Sequence, residues 1–370
     1  MKYYLIAGEA SGDLHASNLM RGLMACDPQC DMRFWGGDAM ASVGGTMVRH
    51  FRDTAVMGFV EVLGKAGKIL DRLSFCKRDL LAWKPDAVIL VDYPSFNLRI
   101  ARFAKKHGLR VFWYIAPKAW AHKAWRVKNL RRDVDVLYSI FPFELDWFRE
   151  RGVEPCYYGN PLVDSIAYSR FTPFGTGPSI ALLAGSREFE LKFLMPRFTA
   201  LERLLDADPR MSGYRLIVAC APSLPLESYR KYLPEGSRIE LMQGRTYDVL
   251  RQADAAVISS GTASLEAALI GTPQLVCYGL NRLSYLVSKV TVRVKFISLA
   301  NLVLDRLIFP ELTQDQASPE AIKAALERLL FDSVCRRQMA ADYKELKDKL
   351  GAPGASVRIA QDMYERIARI

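Results

Sequence analysis

In the segment Val257-Ile258-Ser259-Ser260-Gly261-Thr262-Ala263-Ser264-Leu265-Glu266, an apolar strand pattern ends in small residues and a helical pattern begins at once. A helix starting there leaves backbone N–H groups of Ser260, Gly261 and Thr262 unpaired and aimed outward, with the helix dipole behind them. A diphosphate suits that geometry. Glu266 falls four residues past Thr262, one turn further on the same face, where its carboxylate can accept from both ribose hydroxyls of a nucleotide. The plainer alternative is a capped helix with a glutamate in solvent. A second turn of this type, Gly185-Ser186-Arg187, follows the apolar run Ser179–Ala184. Arg187 can fork onto a phosphate and stabilise the charge on a departing diphosphate, or simply pair with Glu190 on the helix surface.

The first half of the chain offers carboxylates instead. Gly8-Glu9-Ala10-Ser11-Gly12-Asp13 is neither a GxGxxG dinucleotide fingerprint nor a Walker A loop, so hydride transfer and P-loop hydrolysis lose their support. It is a polar, acidic loop suited to sugar hydroxyls. Asp92 ends the run Ala87–Val91 and heads Tyr93-Pro94-Ser95-Phe96-Asn97, a loop stiffened by Pro94. A carboxylate at the carboxyl end of a strand is well placed to act as a general base; its other reading is a cap on the next helix. His15, His50, His107 and His122 stand apart from one another, and the spacing predicts neither a metal site nor a Ser-His-Asp triad.

These residues need elements to hold them. Strand patterns fall at Tyr3–Ala7, Met32–Trp35, Ala87–Val91, Arg110–Tyr114, Asp135–Ile140 and Cys156–Tyr158, then at Ser179–Ala184, Tyr214–Ala219, Arg238–Met242, Ala255–Ser259 and Gln274–Tyr278. Helical patterns lie between most of them. The alternation predicts an α/β protein with two doubly wound parallel sheets. The Gly, Pro and Thr of Tyr158–Pro178 predict a linker, giving two domains that face each other across a cleft. The domains expected are 1–165, which carries the acidic loops and the basic segments, and 166–350, which takes the nucleotide. A last amphipathic helix over 351–370 either packs back on the first domain or exchanges with a second copy in a homodimer.

The chain has 370 residues and a formal net charge of +11, which calls for an anionic partner. Met57 to Trp83 carries Lys65, Lys68, Arg72, Lys77 and Arg78 beside an apolar MGFVEVL run. Lys118 to Arg132 carries six basic residues with Trp120 and Trp125. Such segments suit an anionic membrane surface, although a solvated helix face is the commoner cause. No zinc-finger, RNP or homeodomain pattern accompanies them, so nucleic acid is not expected as a partner. No run approaches the ~20 apolar residues of a spanning helix. The seven scattered cysteines fit reduced thiols. The expected location is therefore cytoplasmic and peripheral.

In order and spacing, nine short motifs resemble the lipid A disaccharide synthase family of glycosyltransferases (family 19). They are GEASGD (8–13), AVMGFVEVLG (55–64), VDYPSFN (91–97), the Lys118–Arg132 stretch, FPFE (141–144), GNPL (159–162), GSREFE (185–190), SSGTASLE (259–266) and SLANL (298–302). The resemblance implies two facing Rossmann-like domains of the GT-B type and a metal-independent, inverting transfer without cofactor. The implied UDP-sugar donor is UDP-2,3-diacylglucosamine. The implied acceptor is an acylated glucosamine phosphate, 2,3-diacylglucosamine 1-phosphate, and the product is a β-1,6 disaccharide made at the inner face of the inner membrane of a Gram-negative cell. Carried onto this chain, Glu266, Ser260, Gly261 and Thr262 hold the UDP. Gly185, Ser186 and Arg187 lie by its phosphates, and Asn301 contacts the donor. Glu9, Ser11 and Asp92 face the reacting sugars, with Asp92 as the base. Met57, Phe59, Val60, Val62, Leu63 and Trp120 meet membrane and acyl chains.

Four positions depart from the family's pattern: Ala184 and Ala300 stand where proline is usual, Ser95 where an acid is frequent, and His122 where tryptophan is common. Ser95 leaves Asp92 as the only carboxylate of its loop. The rival readings are a UDP-sugar 2-epimerase or peptidoglycan-type glycosyltransferase on the same scaffold, and a non-catalytic nucleotide-sugar-binding module.

Overall fold

The structure, a computed structural model, describes residues 1–53, 62–121, 123–279 and 295–369, with backbone alone at 62–66 and 68. The chain divides into two units, Met1–Ser165 together with Leu350–Ile370, and Ile166–Lys349.

The first unit runs β1 (Lys2–Ala7), α1 (Ala10–Cys26), β2 (Asp31–Gly36), α2 (Asp38–Ala41), β3 (Thr46–His50), α3 (Val62–Trp83), β4 (Ala87–Val91), α4 (Pro94–Lys106), β5 (Arg110–Tyr114), α5 (Arg126–Asp133), β6 (Val136–Ser139), α6 (Phe143–Arg149), β7 (Pro155–Tyr157) and α7 (Pro161–Ala167). Its strands are parallel, in the order β3-β2-β1-β4-β5-β6-β7. The second unit runs β8 (Ser179–Leu183), α8 (Glu188–Asp206), β9 (Arg215–Cys220), α9 (Glu227–Arg230), β10 (Glu240–Gln243), α10 (Thr246–Gln252), β11 (Ala255–Ser259), α11 (Thr262–Ile270), β12 (Gln274–Tyr278), α12 (Leu299–Leu304), β13 (Glu311–Thr313), α13 (Pro319–Phe331) and α14 (Ser333–Leu350). Its parallel sheet repeats the winding, β10-β9-β8-β11-β12-β13. The doubly wound α/β class expected from the sequence is thus found twice.

The inner strands explain why they were legible. β4, β8 and β11 are buried along their whole length, because helices cover both faces of a parallel sheet and leave no polar side. The helices contribute stripes: Leu73, Cys76 and Leu80 of α3 enter the first core at i, i+3 and i+7, beside Trp35, Val88 and Trp113. Ala181, Ile217, Val249 and Ile258 anchor the second core. In each sheet the strand order reverses at one place, between β1 and β4 and between β8 and β11. Adjacent helices leave a crevice at the carboxyl ends there.

Two strands escaped the sequence reading. β3 is an edge strand with no buried residue, and β13 has only three residues, all half-buried. Neither offers an apolar run or a clean alternation. The linker expectation also needs correction at its start. Asn160 of GNPL is buried, donating from Nδ2 to the Ile140 carbonyl at 3.0 Å and from its backbone to the Leu350 carbonyl at 3.0 Å. The true crossing follows, and its Thr172 N–H is tied to Asp248 of α10 at 3.0 Å.

After α14 the chain returns to the first unit. Its last helix, α15 (Ala355–Ala368), packs along α1. Contact is close enough that a side chain at Gly22 would collide with Ala360. The buried Asp164 carboxylate caps this helix, accepting from the N–H groups of Gly354 (2.6 Å), Ala355 (3.1 Å) and Ser356 (2.7 Å). Among the described residues no helix is long and apolar enough to cross a membrane.

Candidate active site

At the reversal point of the first sheet, β1 ends at Ala7 and β4 at Val91, paired with each other in register. Asp92 and Tyr93 both take left-handed backbone angles, with φ of 43° and 48°. Two such residues in succession store strain of about 1–3 kcal/mol each, so something must hold them. Asn97, on the first turn of α4, does so. Its buried amide donates to the Asp92 carbonyl at 2.8 Å and lies 3.4 Å from those of Ile6 and Val91. The Tyr93 ring then folds over Gly8, where any side chain would overlap it, and stacks on Phe96 at 5.7 Å. Glu9 and Ser11 open α1 and are exposed, whereas Asp13 turns inward. Asp13 accepts from the N–H groups of Gly37 (2.6 Å), Ala39 (3.0 Å) and Met40 (3.2 Å), which fixes the start of α2.

Asp92 is thereby placed with Glu9, Lys118 and Arg126 as its charged neighbours. Burial pushes its carboxyl up to about 6, opposed by Lys118 and Arg126 and assisted by Glu9. That is a base strong enough to take a proton near neutral pH and still ionised there. The loop carrying Lys118 is held from beneath. Trp120 donates its indole N–H to Glu144 at 2.8 Å and meets Phe143 edge-on at 4.9 Å. Glu144 is fully buried, also bound by the Ser139 hydroxyl, and burial raises its carboxyl to about 7. Trp120 is therefore half-buried with its polar edge turned inward, and Trp125, 59% exposed, is the indole open to a surface. This corrects the membrane-facing reading of Trp120. Met57, Phe59 and Val60 lie outside the described residues, as do the side chains of Val62 and Leu63.

At the reversal point of the second sheet, the two glycine turns differ. Gly261 caps α11 in a left-handed conformation, φ 146°, and among the described residues nothing crowds it and no side chain caps the helix. The N–H groups of its first turn, at Thr262 and beyond, are left for a ligand. Ser260 is tied back, donating to the Ile297 carbonyl at 3.3 Å. Glu266 stands one turn in, and burial raises its carboxyl while a 3.0 Å hydrogen bond from the Tyr247 hydroxyl lowers it. Tyr247, on α10, carried no signal in sequence because its role exists only through this packing.

The Gly185-Ser186-Arg187 turn, by contrast, is already closed. Buried Glu190 accepts from the N–H groups of Ser186 (2.8 Å) and Arg187 (3.2 Å), forming a capping box. A side chain at Gly185 (φ 102°) would strike that carboxylate. These N–H groups are not free for a phosphate, which corrects the view of this turn as a second open cradle. What it does present is the Arg187 guanidinium, 65% exposed and 3.8 Å from Glu190.

Asn301 needs a larger correction. It is fully buried, its amide donating to Glu311 (2.8 Å) and Phe309 (3.3 Å) while its oxygen accepts from Ile308 (2.9 Å). Nothing of it is left for a donor substrate. It fixes Glu311, which binds the N–H groups of Ile297 and Ser298 at 2.8 Å each, and Ile297 in turn receives Ser260. Asn301 is a positioning residue for the Ser260 turn.

Comparison with known proteins gives this geometry a context. A family model described as lipid-A-disaccharide synthetase matches residues 3–359. The lipid-A-disaccharide synthase of Geobacter metallireducens is 36% identical over 99% of this chain and 97% of its own. That of Syntrophus aciditrophicus is 37% identical over 96% and 95%. Among solved structures, a UDP-GlcNAc 2-epimerase from Neisseria meningitidis bound to UDP-GlcNAc aligns with a TM-score of 0.72 at 11% identity, covering 99% of this chain and 100% of that one. A calicheamicin glycosyltransferase aligns with a TM-score of 0.59 at 15% identity, covering 100% and 98%. At such identities the structural likeness speaks for the fold alone.

Proposed function

Since the chain belongs to the lipid-A-disaccharide synthetase family, we propose a division of labour in which the second unit holds a UDP-sugar donor and the first activates an acylated sugar acceptor. The enzyme is a glycosyltransferase of lipid A disaccharide synthesis. The observation that carries the residue assignment is the gathering of its chemistry at the two reversal points: Asp92 and Glu9 at β1/β4, the uncapped α11, Glu266 and Arg187 at β8/β11.

In this reading the donor is UDP-2,3-diacylglucosamine. Its diphosphate sits on the first turn of α11 at Gly261 and Thr262, and its ribose hydroxyls donate to Glu266. The acceptor is 2,3-diacylglucosamine 1-phosphate. Asp92 draws the proton from the 6-hydroxyl, the freed oxygen attacks the anomeric carbon, and the bond to the diphosphate breaks with its electron pair leaving on UDP. The configuration inverts. Helix dipole and Arg187 stabilise the departing charge, so the step is proposed to need no metal. Glu9 and Ser11 offer polar contacts to the sugars. The enzyme works peripherally on the inner face of the membrane, where basic residues around α3 and α5 meet anionic lipid.

The test is a single assay. Purified full-length enzyme with both acylated substrates should give disaccharide 1-phosphate and UDP in equal amounts, also in EDTA. Consumption of UDP-N-acetylglucosamine without disaccharide would favour the epimerase reading. The 37% identity of a whole-length synthase, against 11% for the epimerase, speaks for the transferase.

A further inference from the structure

Beside the Asp92 loop, α4 and α5 enclose a groove lined by Ser95, Arg99, Arg102, Trp125, Arg126 and Arg132. Ser95, Arg99 and Arg102 fall at i, i+4 and i+7 on α4, which puts them on one face. Arg132 is neutralised by Asp133 at 2.6 Å. Arg99, Arg102 and Arg126 form no ion pair with any described carboxylate. Among the described residues Arg99 reaches back only to the Ser95 carbonyl, and the buried Nε of Arg126 has no hydrogen-bond partner. The Arg126 guanidinium lies over the Trp125 ring, 6.0 Å from its centroid. Arg126 is offset in part by the nearby Asp92 carboxylate, but gathering it with Arg99 and Arg102 in one groove is electrostatically unfavourable unless a further anion joins them.

We propose that this groove binds the phosphomonoester of the acceptor sugar, with Arg99, Arg102 and Arg126 as its ligands and the Trp125 indole against the sugar or its lipid stem. This rests on the transferase reading above and adds the acceptor's phosphate subsite to it. A monoester carries nearly two negative charges and three free oxygens, matching three guanidiniums better than the single charge of a lipid phosphodiester. The placement suits the substrate too. Its phosphate-bearing C1 and the C5 that carries its C6 hydroxyl both adjoin the ring oxygen, so phosphate and reacting hydroxyl sit near each other on one sugar, and the groove adjoins Asp92 without including it.

The test uses the full-length enzyme in neutral detergent, with donor, phosphorylated acceptor and dephosphorylated acceptor varied in turn. Arg102 is exposed and has no hydrogen-bond or ion-pair partner among the described residues, so Arg102→Gln should leave the melting temperature unchanged. It should raise KM for the phosphorylated acceptor about tenfold, and Arg99→Gln added to it about tenfold more. Donor KM should not move, and the preference for phosphorylated over dephosphorylated acceptor should collapse. An unmoved acceptor KM overturns the subsite. So does a defect seen only with substrates in phosphatidylglycerol vesicles and absent in detergent, since the groove then serves lipid headgroups. If the unsubstituted enzyme makes no disaccharide from either acceptor, the transferase reading itself fails.

Discussion

The side-chain amide of Asn97 donates to the backbone carbonyl of Asp92 at 2.8 Å and in doing so holds a left-handed turn under the proposed base. Asn97→Ala removes the donor and leaves buried carbonyls unpaired, at a cost of about 1–3 kcal/mol. The enzyme should fold with a lowered melting temperature. Its kcat should fall about 10²-fold, because a base displaced by ~1 Å loses its alignment. UDP affinity, measured by calorimetry, should stay as it was. A drop in stability with kcat intact would remove Asn97 from this role.

Asp92 acts as a base only when ionised, and burial sets its carboxyl at about 6. kcat/KM should therefore rise with pH through about 6 and level off above it. Arg126 is one of the cations opposing that rise, so Arg126→Gln should move the limb to higher pH. Asp92→Asn should abolish the limb and cut turnover by about 10²–10⁴ while sparing UDP binding. A limb that persists in Asp92→Asn belongs to another group.

Tyr247 and Glu266 form one unit on the nucleotide side, 3.0 Å apart. Glu266→Gln should weaken UDP binding about tenfold, as expected of a charged hydrogen-bond acceptor exchanged for a neutral one. Tyr247→Phe should weaken it by a smaller factor, and the double variant by less than the product of the two. Acceptor KM should respond to neither. Full multiplicativity would mean that the tyrosine does not orient the carboxylate.

Asp164 takes three N–H groups at the start of α15. Asp164→Ala should destabilise the protein by about 2 kcal/mol or more, since capping and buried-donor penalties add. Limited proteolysis should then cut first after Leu350. Unchanged protease resistance would show that packing on α1 alone secures the helix.

Much of this was legible before any coordinates, and for a physical reason. β1, β4, β8 and β11 are buried by helices on both sides, so their apolar runs stand out, and the turns at their carboxyl ends contain Glu9, Asp92, Arg187 and Gly261. What sequence does not carry is which polar group is used up internally. Ser186 and Ser260 sit in similar turns, yet Glu190 closes the first while no described side chain caps the second. Asn301 looks like a ligand-binding amide until Glu311 is found 2.8 Å away. Trp120 and Trp125 are five residues apart in one basic stretch, and only packing against Glu144 separates the internal ring from the exposed one.

The return of α15 to α1 has a consequence for synthesis. Unit 1 is interrupted by Ile166–Lys349, so the apolar face of α1 emerges from the ribosome long before the helix that covers it. At about 5–20 residues per second, that face waits roughly a quarter of a minute to over a minute for its partner. The intervening unit, continuous in sequence, has no such dependence and can complete its own core meanwhile. A nascent chain stalled before Gly354 should therefore display a folded nucleotide-binding unit alongside an unfinished first unit that still needs chaperone cover.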